Sequence, residues 1–409
     1  MPAHPDSPGA GKRIAVVGAG PGGLSAGLAL HRAGFDVTVY ERHSTTQALG
    51  GAILLNAIGM YILRSYGANI DDLHTFATTE LRRFDGHPRV SWKADPELVQ
   101  KAGATGWMSG TMRSEIYARM IEVAPEGMIV NGKQATGYEE TDRDVVLKFA
   151  DGTQETFDLV IAADGISSVI REQLWGPAEL KHLGIVVYLG WAEMPDSVRT
   201  GQIVHHNEHF QLGYAPLNYQ GRKCFEWWFV ESVGENDTPP ADPKSYVQER
   251  VSRFESPVPE MVAATDPEHG LFRWVVKYKE PLPAWSKGRV TLLGDAAHPT
   301  SPYAGYGAGM AIEDGFFLGR FLEGRDLSDR EQLQAGLAQY DQARVEYTNK
   351  TTAFARQIGR MFHGAPWAQR KVRDFLLDHT RIPDRQISKA YTEDAQLLLK
   401  SILEADRVA

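Results

Sequence analysis

The stretch Arg13-Ile-Ala-Val-Val-Gly18-Ala-Gly20-Pro-Gly-Gly23 decides the fold of this chain. The compact β-branched run from Arg13 to Val17 predicts a buried parallel strand. It leads directly into a glycine-rich turn and then into a segment with helical spacing. Gly18 permits a tight turn, Gly20 lets the backbone approach a pyrophosphate, and Gly23 permits close packing of helix on strand. The stretch therefore predicts the start of a dinucleotide-binding unit.

A second strand and an acidic residue complete this unit. Val37-Thr-Val-Tyr-Glu41 follows Gly34 and predicts a strand that ends in an acid about twenty residues after the glycine turn. A glutamate in that place can accept hydrogen bonds from the adenosine ribose of FAD or NAD, and we assign the neighbouring Arg42 to the same site. The glycine pattern does not distinguish the two dinucleotides, because both use it.

Three later segments favour FAD. Leu49-Gly-Gly-Ala-Ile-Leu-Leu55, which includes Gly51, supplies flexible backbone soon after the acid, where a longer dinucleotide must be accommodated. Arg113 stands at the head of an amphipathic helix and suits a phosphate, with a solvated helix cap as the alternative. A further buried strand begins at Phe157 and ends in Asp164-Gly165.

A second glycine-rich stretch runs from Arg289 to Asp314. Val290 to Leu293 predicts a short buried strand, Gly294-Asp295 closes it, and three further glycines lead into an apolar helix that begins near Met310. A helix N-terminus of this kind presents unpaired backbone N–H groups and the positive end of a dipole. The stretch predicts a docking place for a flat or anionic ligand, although a packing turn without a ligand would show the same pattern.

The composition excludes several classes of function. The chain has 409 residues and a formal net charge of −9, with no lysine and arginine run that would bind nucleic acid and no apolar run long enough to span a membrane. Its single cysteine, Cys224, excludes an intrachain disulfide framework and a multi-cysteine metal site, and it favours a cytoplasmic location. We interpret Cys224 as a structural strand residue and predict no bound metal. Residues 1–11 lack the apolar segment of a secretory signal and are interpreted as a flexible leader.

Between the two glycine-rich regions the pattern changes to alternating, aromatic strands. They predict a mostly antiparallel sheet from about Gly184 to Tyr278, to which we also assign Glu80 to Lys93. One face of this sheet should cover a substrate pocket. A histidine in such a sheet is more often a structural or surface residue than a catalytic one, and a tryptophan is more often a core residue than a ligand contact. The candidates for the inner face are Tyr188, Gln211, Trp227 and Trp274, with His206 or His209 as candidate proton carriers.

The motifs together resemble those of the single-component flavoprotein aromatic hydroxylases, the para-hydroxybenzoate hydroxylase-like monooxygenases. That family carries an N-terminal GxGxxG with a downstream Glu, a mid-chain Asp-Gly strand and a later Gly-Asp-Ala-Ala-His-Pro turn. All three occur here in the family's order, as Gly18 to Gly23, Asp164-Gly165 and Gly294 to Pro299. The resemblance covers about residues 12 to 350. It implies an α/β fold: a Rossmann-like FAD-binding domain with a parallel sheet, an inserted mostly antiparallel substrate sheet, and C-terminal helices.

The resemblance also implies a division of the chain. We assign 12–78, 106–182 and 283–352 to the FAD-binding part, 79–105 and 183–282 to the substrate part, and 353–409 to C-terminal helices, beginning with one or two helices in Ala353 to Leu377.

Roles for individual residues follow from the family. Glu41 would hold the adenosine ribose, Arg113 would lie by the phosphate or ribityl region, and Asp295 would bind the ribityl or pyrophosphate part. Asp164 and Gly165 would shape a site that touches both FAD and a passing nicotinamide cofactor.

The second glycine-rich stretch would hold the flavin ring. Pro302 would lie over the flavin edge where oxygen reacts, and the backbone from Gly307 to Gly309 would point N–H groups at the pyrimidine ring. The predicted cofactor contacts are Gly18, Gly20, Gly23, Glu41, Arg42, Gly51, Arg113, Asp164, Asp295, Pro302, Gly305, Gly307, Ala308 and Gly309. The predicted catalytic residues are Pro302, Gly307, Tyr188, Gln211 and Trp227.

The implied activity is that of an FAD-dependent monooxygenase. NAD(P)H would reduce FAD, O2 would add to it as a C4a-hydroperoxyflavin, and one oxygen atom would pass to an aromatic or related electron-rich small molecule. No second complete GxGxxG unit is present, so NAD(P)H would visit transiently. An FAD-dependent oxidase, dehydrogenase or reductase on the same fold is the alternative. We expect a monomer or homodimer.

The substrate stays open at this stage, because no arginine in the predicted sheet is placed as a carboxylate anchor. Benzoates are therefore not favoured over phenols, indoles, other heteroaromatic rings or polyketide-like rings. Epoxidation and Baeyer-Villiger insertion stay open beside hydroxylation. Two departures from the family pattern bear on the cofactor site: Ala162 replaces a usual glycine, and Leu55 replaces a frequent proline. Tyr303 and Tyr306 could face either flavin or substrate.

Overall fold

The chain is described by a computed structural model that covers residue 9 and residues 11–45, 51–193, 201–305, 307–381 and 393–406. The predicted leader falls almost wholly outside these residues, as does Tyr306. The strands are β1 (Arg13–Val17), β2 (Asp36–Glu41), β3 (Ala52–Asn56), β4 (Thr75–Phe76), β5 (Thr78–Arg83), β6 (Pro88–Lys93), β7 (Met108–Met112), β8 (Ile129–Asn131), β9 (Ala135–Glu140), β10 (Val145–Phe149), β11 (Gln154–Phe157), β12 (Leu159–Ala162), β13 (Lys181–Glu193), β14 (Gln202–His206), β15 (Phe210–Tyr219), β16 (Arg222–Ser232), β17 (Leu271–Tyr278) and β18 (Val290–Leu292).

The helices connect and cover these strands. They are α1 (Pro21–Arg32), α2 (Ala57–Ser65), α3 (Pro96–Lys101), α4 (Arg113–Glu122), α5 (Val169–Trp175), α6 (Pro243–Val251), α7 (Val258–Ala264), α8 (Gly307–Leu322), α9 (Arg330–Gly359), α10 (Trp367–His379) and α11 (Asp394–Ala405). None of the described helices is long and apolar enough to cross a membrane.

A parallel sheet of five strands carries both glycine-rich stretches. Its order is β18-β12-β1-β2-β8, and the central strand β1 is buried on both sides, as its β-branched sequence predicts. Helix α8 packs directly on α1, because Gly315 and Gly319 leave no side chain between the two helices. A Cβ atom at Gly315 would lie 2.3 Å from the backbone nitrogen of Ala26. This contact places the N-termini of α1 and α8 at the same edge of the sheet. A small antiparallel sheet, β11-β10-β9, flanks it.

A larger sheet forms the other half of the molecule. Its main path is β17-β13-β16-β15-β14-β5-β6, and β3, β4 and β7 join it at β15. Most pairs are antiparallel, whereas β14 with β5 and β15 with β7 are parallel. The prediction of a mostly antiparallel inserted sheet that includes Glu80 to Lys93 is therefore confirmed.

The two faces of this large sheet bury different partners. The first face packs against α6 and α7, where Trp227 donates a hydrogen bond from Nε1 to Thr265 Oγ1 at 2.8 Å. Tyr188 lies on the same face, in contact distance of Tyr246 with ring centroids 5.8 Å apart. Successive residues of a strand point to opposite faces of its sheet. Tyr188 and Trp227 both point to the face that packs against α6 and α7, so the prediction that they face the pocket is wrong.

Some predicted boundaries also differ. Ala52–Asn56 forms a strand where we expected flexible backbone, because all five residues pair with β7. Helix α8 begins at Gly307, not near Met310, and α9 runs from Arg330 to Gly359. The predicted closing helices are the end of α9 and α10.

Candidate active site

A cavity of about 570 Å³ lies between the parallel sheet and the second face of the large sheet. We call its two ends the cofactor half, formed by the glycine-rich stretches with β3 and α4, and the sheet half, formed by side chains of β5, β6 and β13 to β17. Ten of the predicted site residues line it: Gly20, Gly23, Gly51, Arg113, Gln211, Asp295, Pro302, Gly305, Gly307 and Ala308.

The first glycine turn has the geometry that its sequence requires. Gly18 has a φ of +106°, and a Cβ atom there would lie 2.4 Å from the carbonyl oxygen of Ala163. A Cβ atom at Gly23 would lie 1.9 Å from the carbonyl oxygen of Gly18. At Gly20 the nearest atom would be Tyr117 Oη, at 3.5 Å. Gly18 and Gly23 thus serve the packing of strand and helix, and Gly20 leaves the N-terminus of α1 open to the cavity.

Glu41 is held beside this turn. Its Oε2 accepts a hydrogen bond from the backbone nitrogen of Ala19 at 3.1 Å, and its Oε1 accepts one from that of His43 at 3.0 Å. Arg42 is exposed, with its Nε 3.3 Å from His43 Nε2, and its side chain does not line the cavity. The structure therefore brings Glu41, but not Arg42, next to the glycine turn.

Arg113, Asp295 and Tyr117 meet in the cofactor half. Arg113 begins α4 immediately after β7. Asp295 is exposed to the cavity and enclosed by the protein around it, so burial raises its pKa while the charges of His298 and Arg113 oppose the rise. Burial likewise raises the pKa of Tyr117, again opposed by Arg113. One cation and one carboxyl group therefore face the same end of the cavity.

The N-terminus of α8 is open to the cavity. Gly305 adopts the left-handed conformation, with a φ of +63°, and turns the chain into the helix. A Cβ atom at Gly307 would meet no heavy atom within 4 Å. Gly309 lies deeper, where a Cβ atom would be 3.6 Å from Asn56 Oδ1. The first backbone N–H groups of α8 are thus accessible, and they carry the positive end of the helix dipole.

A buried network of charges fixes α8 behind this opening. Asp314 Oδ2 accepts a hydrogen bond from the Gly294 backbone at 3.0 Å and lies 2.6 Å from His298 Nε2. Arg344 donates from Nε to Asp314 Oδ1 at 2.8 Å and from Nη2 to Glu313 Oε2 at 2.9 Å. Burial opposes charge on Asp314, but His298 and Arg344 hold its pKa below the usual range. The sequence analysis did not predict this network, whose members lie far apart along the chain.

After the mid-chain strand β12, the residues on either side of Asp164 reach the cavity, but Asp164 does not. Ala163 and Gly165 line the cavity, whereas Asp164 turns toward α5 and accepts a hydrogen bond from the Val169 backbone at 3.1 Å. Ala162, the departure from the family pattern, is fully buried in the parallel sheet. Leu55, the second departure, is also fully buried.

The sheet half is mainly aromatic and aliphatic. Gln211 and Trp274 line it, as predicted, together with Val187, Leu189 and Trp228. Val187, Leu189 and Trp228 point to the face of the sheet opposite to that of Tyr188 and Trp227. The indole of Trp228 lies across β15 at Gly213, where a Cβ atom would be 2.2 Å from Trp228 Cζ2. A flat apolar surface therefore faces the cofactor half.

One carboxyl group interrupts this surface. Glu226 lines the cavity, is only 4% exposed, and burial raises its pKa to about 8. Its Oε1 has no hydrogen-bond partner among the described residues. Sequence reasoning missed Glu226, although an acid in the aromatic strand Cys224-Phe-Glu-Trp-Trp was the available signal.

The predicted histidines do not line the cavity. His206 is buried, its Nδ1 lies 3.2 Å from Arg89 Nη1, and burial holds its pKa well below the usual range. His209 is exposed near Arg370. Tyr303 lines the cavity and packs toward the large sheet, with its ring centroid 5.6 Å from that of His363.

The other candidate functional groups are the thiol of Cys224 and possible metal ligands. Cys224 is buried, and burial raises the pKa of its thiol to about 11, so the thiol stays protonated at neutral pH. No group of three or more His, Cys, Asp or Glu side chains in the described ranges is placed to hold a metal ion.

The cofactor half fits a dinucleotide with a flat ring. Gly20 and Gly307 leave two helix N-termini free of side chains, and Glu41 lies beside the first. Arg113 adds a cation to the same half of the cavity. These groups suit a pyrophosphate, a ribose and an anionic ring. Fold and site together define an FAD-dependent oxidoreductase.

Comparisons with known proteins identify the family. A family model described as FAD binding domain matches residues 12–355. The chain is 32% identical over 380 residues to the 6-hydroxynicotinate 3-monooxygenase of Pseudomonas fluorescens, covering 87% of this chain and 91% of that protein. It is 30% identical to the 3-amino-4-hydroxybenzoate 2-monooxygenase PtmB3 of Streptomyces platensis, covering 88% of this chain and 91% of that protein.

A solved structure agrees with these relatives. HpxO of Klebsiella pneumoniae, complexed with FAD and uric acid, matches with a TM-score of 0.79 at 25% identity and covers 93% of this chain and 95% of that chain. The chain belongs to the FAD binding domain family and is a flavin-dependent monooxygenase of the aromatic hydroxylase class. The resemblance inferred from the sequence motifs is confirmed, and the oxidase, dehydrogenase or reductase alternative is not favoured.

Proposed function

We propose that this enzyme hydroxylates a small aromatic or heteroaromatic compound held between the N-terminus of α8 and the large sheet, with NAD(P)H as reductant and O2 as oxygen source. The observation that carries the proposal is the continuity of the cavity, since the glycine-rich stretches and the aromatic face line the same 570 Å³. When bound, FAD supplies the redox chemistry that activates O2.

The cofactor half contains the groups that would hold FAD. The open N-terminus of α1 at Gly20 suits the pyrophosphate, and Glu41 suits the adenosine ribose. Arg113 offers a cation for a phosphate, and Asp295 offers hydrogen-bond acceptors for the ribityl hydroxyls. The tight Gly18 and Gly23 contacts keep this turn in place.

The second glycine-rich stretch would bind the flavin ring. The free N–H groups at Gly307 and Ala308 place a partial positive charge where a reduced flavin carries negative charge. Pro302 and Gly305 define the turn that precedes these groups. The Asp314 network ties α8 to the Gly294 backbone and to Arg344 of α9, which supports an orientation of these N–H groups that exists before a ligand binds.

The sheet half would bind the substrate and exclude water. Its side chains are mainly aromatic and aliphatic, and a site that holds little water would limit the loss of activated oxygen as hydrogen peroxide. Trp228 and Trp274 offer flat surfaces against which a ring can stack. The ring would lie next to Pro302 and Tyr303.

NAD(P)H would act from outside the cofactor half. The sequence holds no second complete GxGxxG unit, which supports a transient visit and not a resident nicotinamide site. A monomer or homodimer in the cytoplasm completes the proposal.

Anaerobic flavin reduction tests this proposal. The FAD-loaded enzyme is mixed with NADH or NADPH, with and without phenols, indoles, hydroxypyridines and benzoates, and the loss of flavin absorbance is followed. We expect at least one ring compound to accelerate flavin reduction and to stimulate NAD(P)H consumption in air. Reduction that no ring compound alters would contradict a substrate site in this cavity.

A further inference from the structure

Glu226 is a buried carboxyl group in the sheet half of the cavity. It lies on β16, between Ala215 of β15 and Trp191 of β13, and points toward β7. A Cβ atom added at Gly110 would lie 2.7 Å from Glu226 Oε1 and 2.7 Å from the carbonyl oxygen of Pro216. Oε1 has no hydrogen-bond partner among the described residues, and Glu226 lines the cavity, so this carboxyl group has unmet hydrogen-bonding capacity at the cavity wall.

The charges of the cavity are unevenly distributed. Of the described residues that line it, Arg113 is the single cation and Asp295 and Glu226 are the carboxyl groups. The charge of Arg113 opposes the rise that burial causes in the pKa values of Asp295 and of Tyr117, whose hydroxyl lies near Gly20, so this cation belongs to the cofactor half. The pKa of Glu226 is shifted by burial and not by a neighbouring charge. The described side chains of the sheet half therefore include no cation.

This distribution disfavours a substrate carboxylate. A buried anion without a counter-charge is costly, and the polar groups of the sheet half other than Glu226 are neutral, such as Thr79, Gln202 and Gln211. An ionised Glu226 would repel a carboxylate, and a protonated Glu226 would give it only one hydrogen bond. Uncharged rings meet neither cost.

We propose that Glu226 determines substrate specificity by hydrogen bonding to a ring N–H or ring hydroxyl, and that it selects uncharged hydroxylated or nitrogen-containing rings over their carboxylated counterparts. The inference rests on the proposed function and deepens it. With its raised pKa the carboxyl group is mainly protonated at pH 7, so it can donate one hydrogen bond and accept another. The relatives named above act on 6-hydroxynicotinate and 3-amino-4-hydroxybenzoate, so this chain would differ from them in substrate charge.

Matched ligand pairs test the inference. The FAD-loaded enzyme is titrated with 2-hydroxypyridine against 6-hydroxynicotinate, and with 2-aminophenol against 3-amino-4-hydroxybenzoate, and Kd is measured by calorimetry at pH 7. We expect the uncharged member of each pair to bind about tenfold more tightly.

Three variants assign the effect to Glu226. E226L should weaken binding of the uncharged member about tenfold, because the apolar side chain offers no hydrogen bond. E226Q should stay within about threefold of the wild type, because an amide of the same shape can both donate and accept. E231Q is the control, since Glu231 lies on the same strand but is paired with Arg250 on the opposite face. It should leave every Kd unchanged.

Tighter binding of the carboxylated members, an unchanged Kd in E226L, or no binding of either member would overturn the role of Glu226. The proposed function is judged separately, from oxygenated product formed under labelled dioxygen. Product formation from a carboxylated ring in both wild type and E226L would refute the Glu226 inference while leaving the monooxygenase function intact.

Discussion

The glycines of the first turn have separable roles that single methyl groups can test. We expect G23A to destabilise the FAD-free protein by about 3 kcal/mol, because the new Cβ atom would collide with the Gly18 carbonyl and the backbone cannot yield cheaply. G20A should cost less than about 0.5 kcal/mol, because its Cβ atom makes an ordinary contact with Tyr117. Denaturant unfolding of both variants measures this difference. Equal losses in stability would show that Gly23 does not make the close contact.

Glu226 should also make stability depend on pH. Its pKa rises from about 4.3 in the unfolded chain to about 8 in the folded protein, so the unfolded chain binds fewer protons across that window. The contribution of Glu226 to stability is therefore most favourable below the unfolded pKa and falls as pH rises toward 8, by at most about 1.4 kcal/mol per pH unit.

E226Q should remove this contribution. We expect FAD-free E226Q to unfold at a higher temperature than the wild type at pH 8, and to lose that advantage near pH 4. Thermal unfolding at the two pH values checks the sign. An advantage that is the same at both pH values would contradict a raised pKa at Glu226.

At the scale of elements, α8 and α9 depend on the buried Arg344. R344M should destabilise the protein by about 3–5 kcal/mol, because it leaves two buried carboxyl groups, Asp314 and Glu313, without their cation. R330M, at the exposed start of the same helix, should cost no more than about 1 kcal/mol. Chemical denaturation of both variants makes the comparison. If R344M were as stable as R330M, the network would not secure the N-terminus of α8.

The two faces of the large sheet should respond differently to loss of a tryptophan. W227A should lose about 4 kcal/mol of stability, because the fully enclosed indole and its bond to Thr265 are removed from the core. W274A should cost far less, since its side chain is 42% exposed at the edge strand β17. It should instead raise the peroxide released per NAD(P)H consumed, because the cavity becomes wetter. Unchanged peroxide release in W274A would argue against a role of this face in retaining oxygen chemistry.

For the whole molecule, the sequence predicted those features that depend on local backbone requirements. The first turn is an example, because the Gly18 and Gly23 contacts admit no side chain, and the sequence shows glycine at both positions. The second turn is another, because Gly305 and Gly307 mark the entry into α8. The parallel sheet and the inserted antiparallel sheet followed from these motifs and from strand periodicity.

The features that depend on pairing between distant strands could not be predicted. The stretch Phe225-Glu-Trp-Trp-Phe229 places large aromatic residues on both faces of β16, so hydrophobic alternation does not show which parity faces the cavity. For this reason Trp227 was assigned to the wrong face and Glu226 was overlooked. The charge network likewise joins residues far apart in sequence, such as His298 and Arg344, whose pairing depends on how α8 and α9 pack.

Isotope labelling tests the central claim most directly, because only a monooxygenase places one atom of dioxygen in its product. The FAD-loaded enzyme is supplied with NAD(P)H, a ring compound that accelerates flavin reduction, and dioxygen labelled with the heavy isotope, and the product is weighed by mass spectrometry. We predict a hydroxylated ring that carries one labelled oxygen atom. Consumption of NAD(P)H that yields only peroxide, or a product whose new oxygen comes from water, would contradict the account.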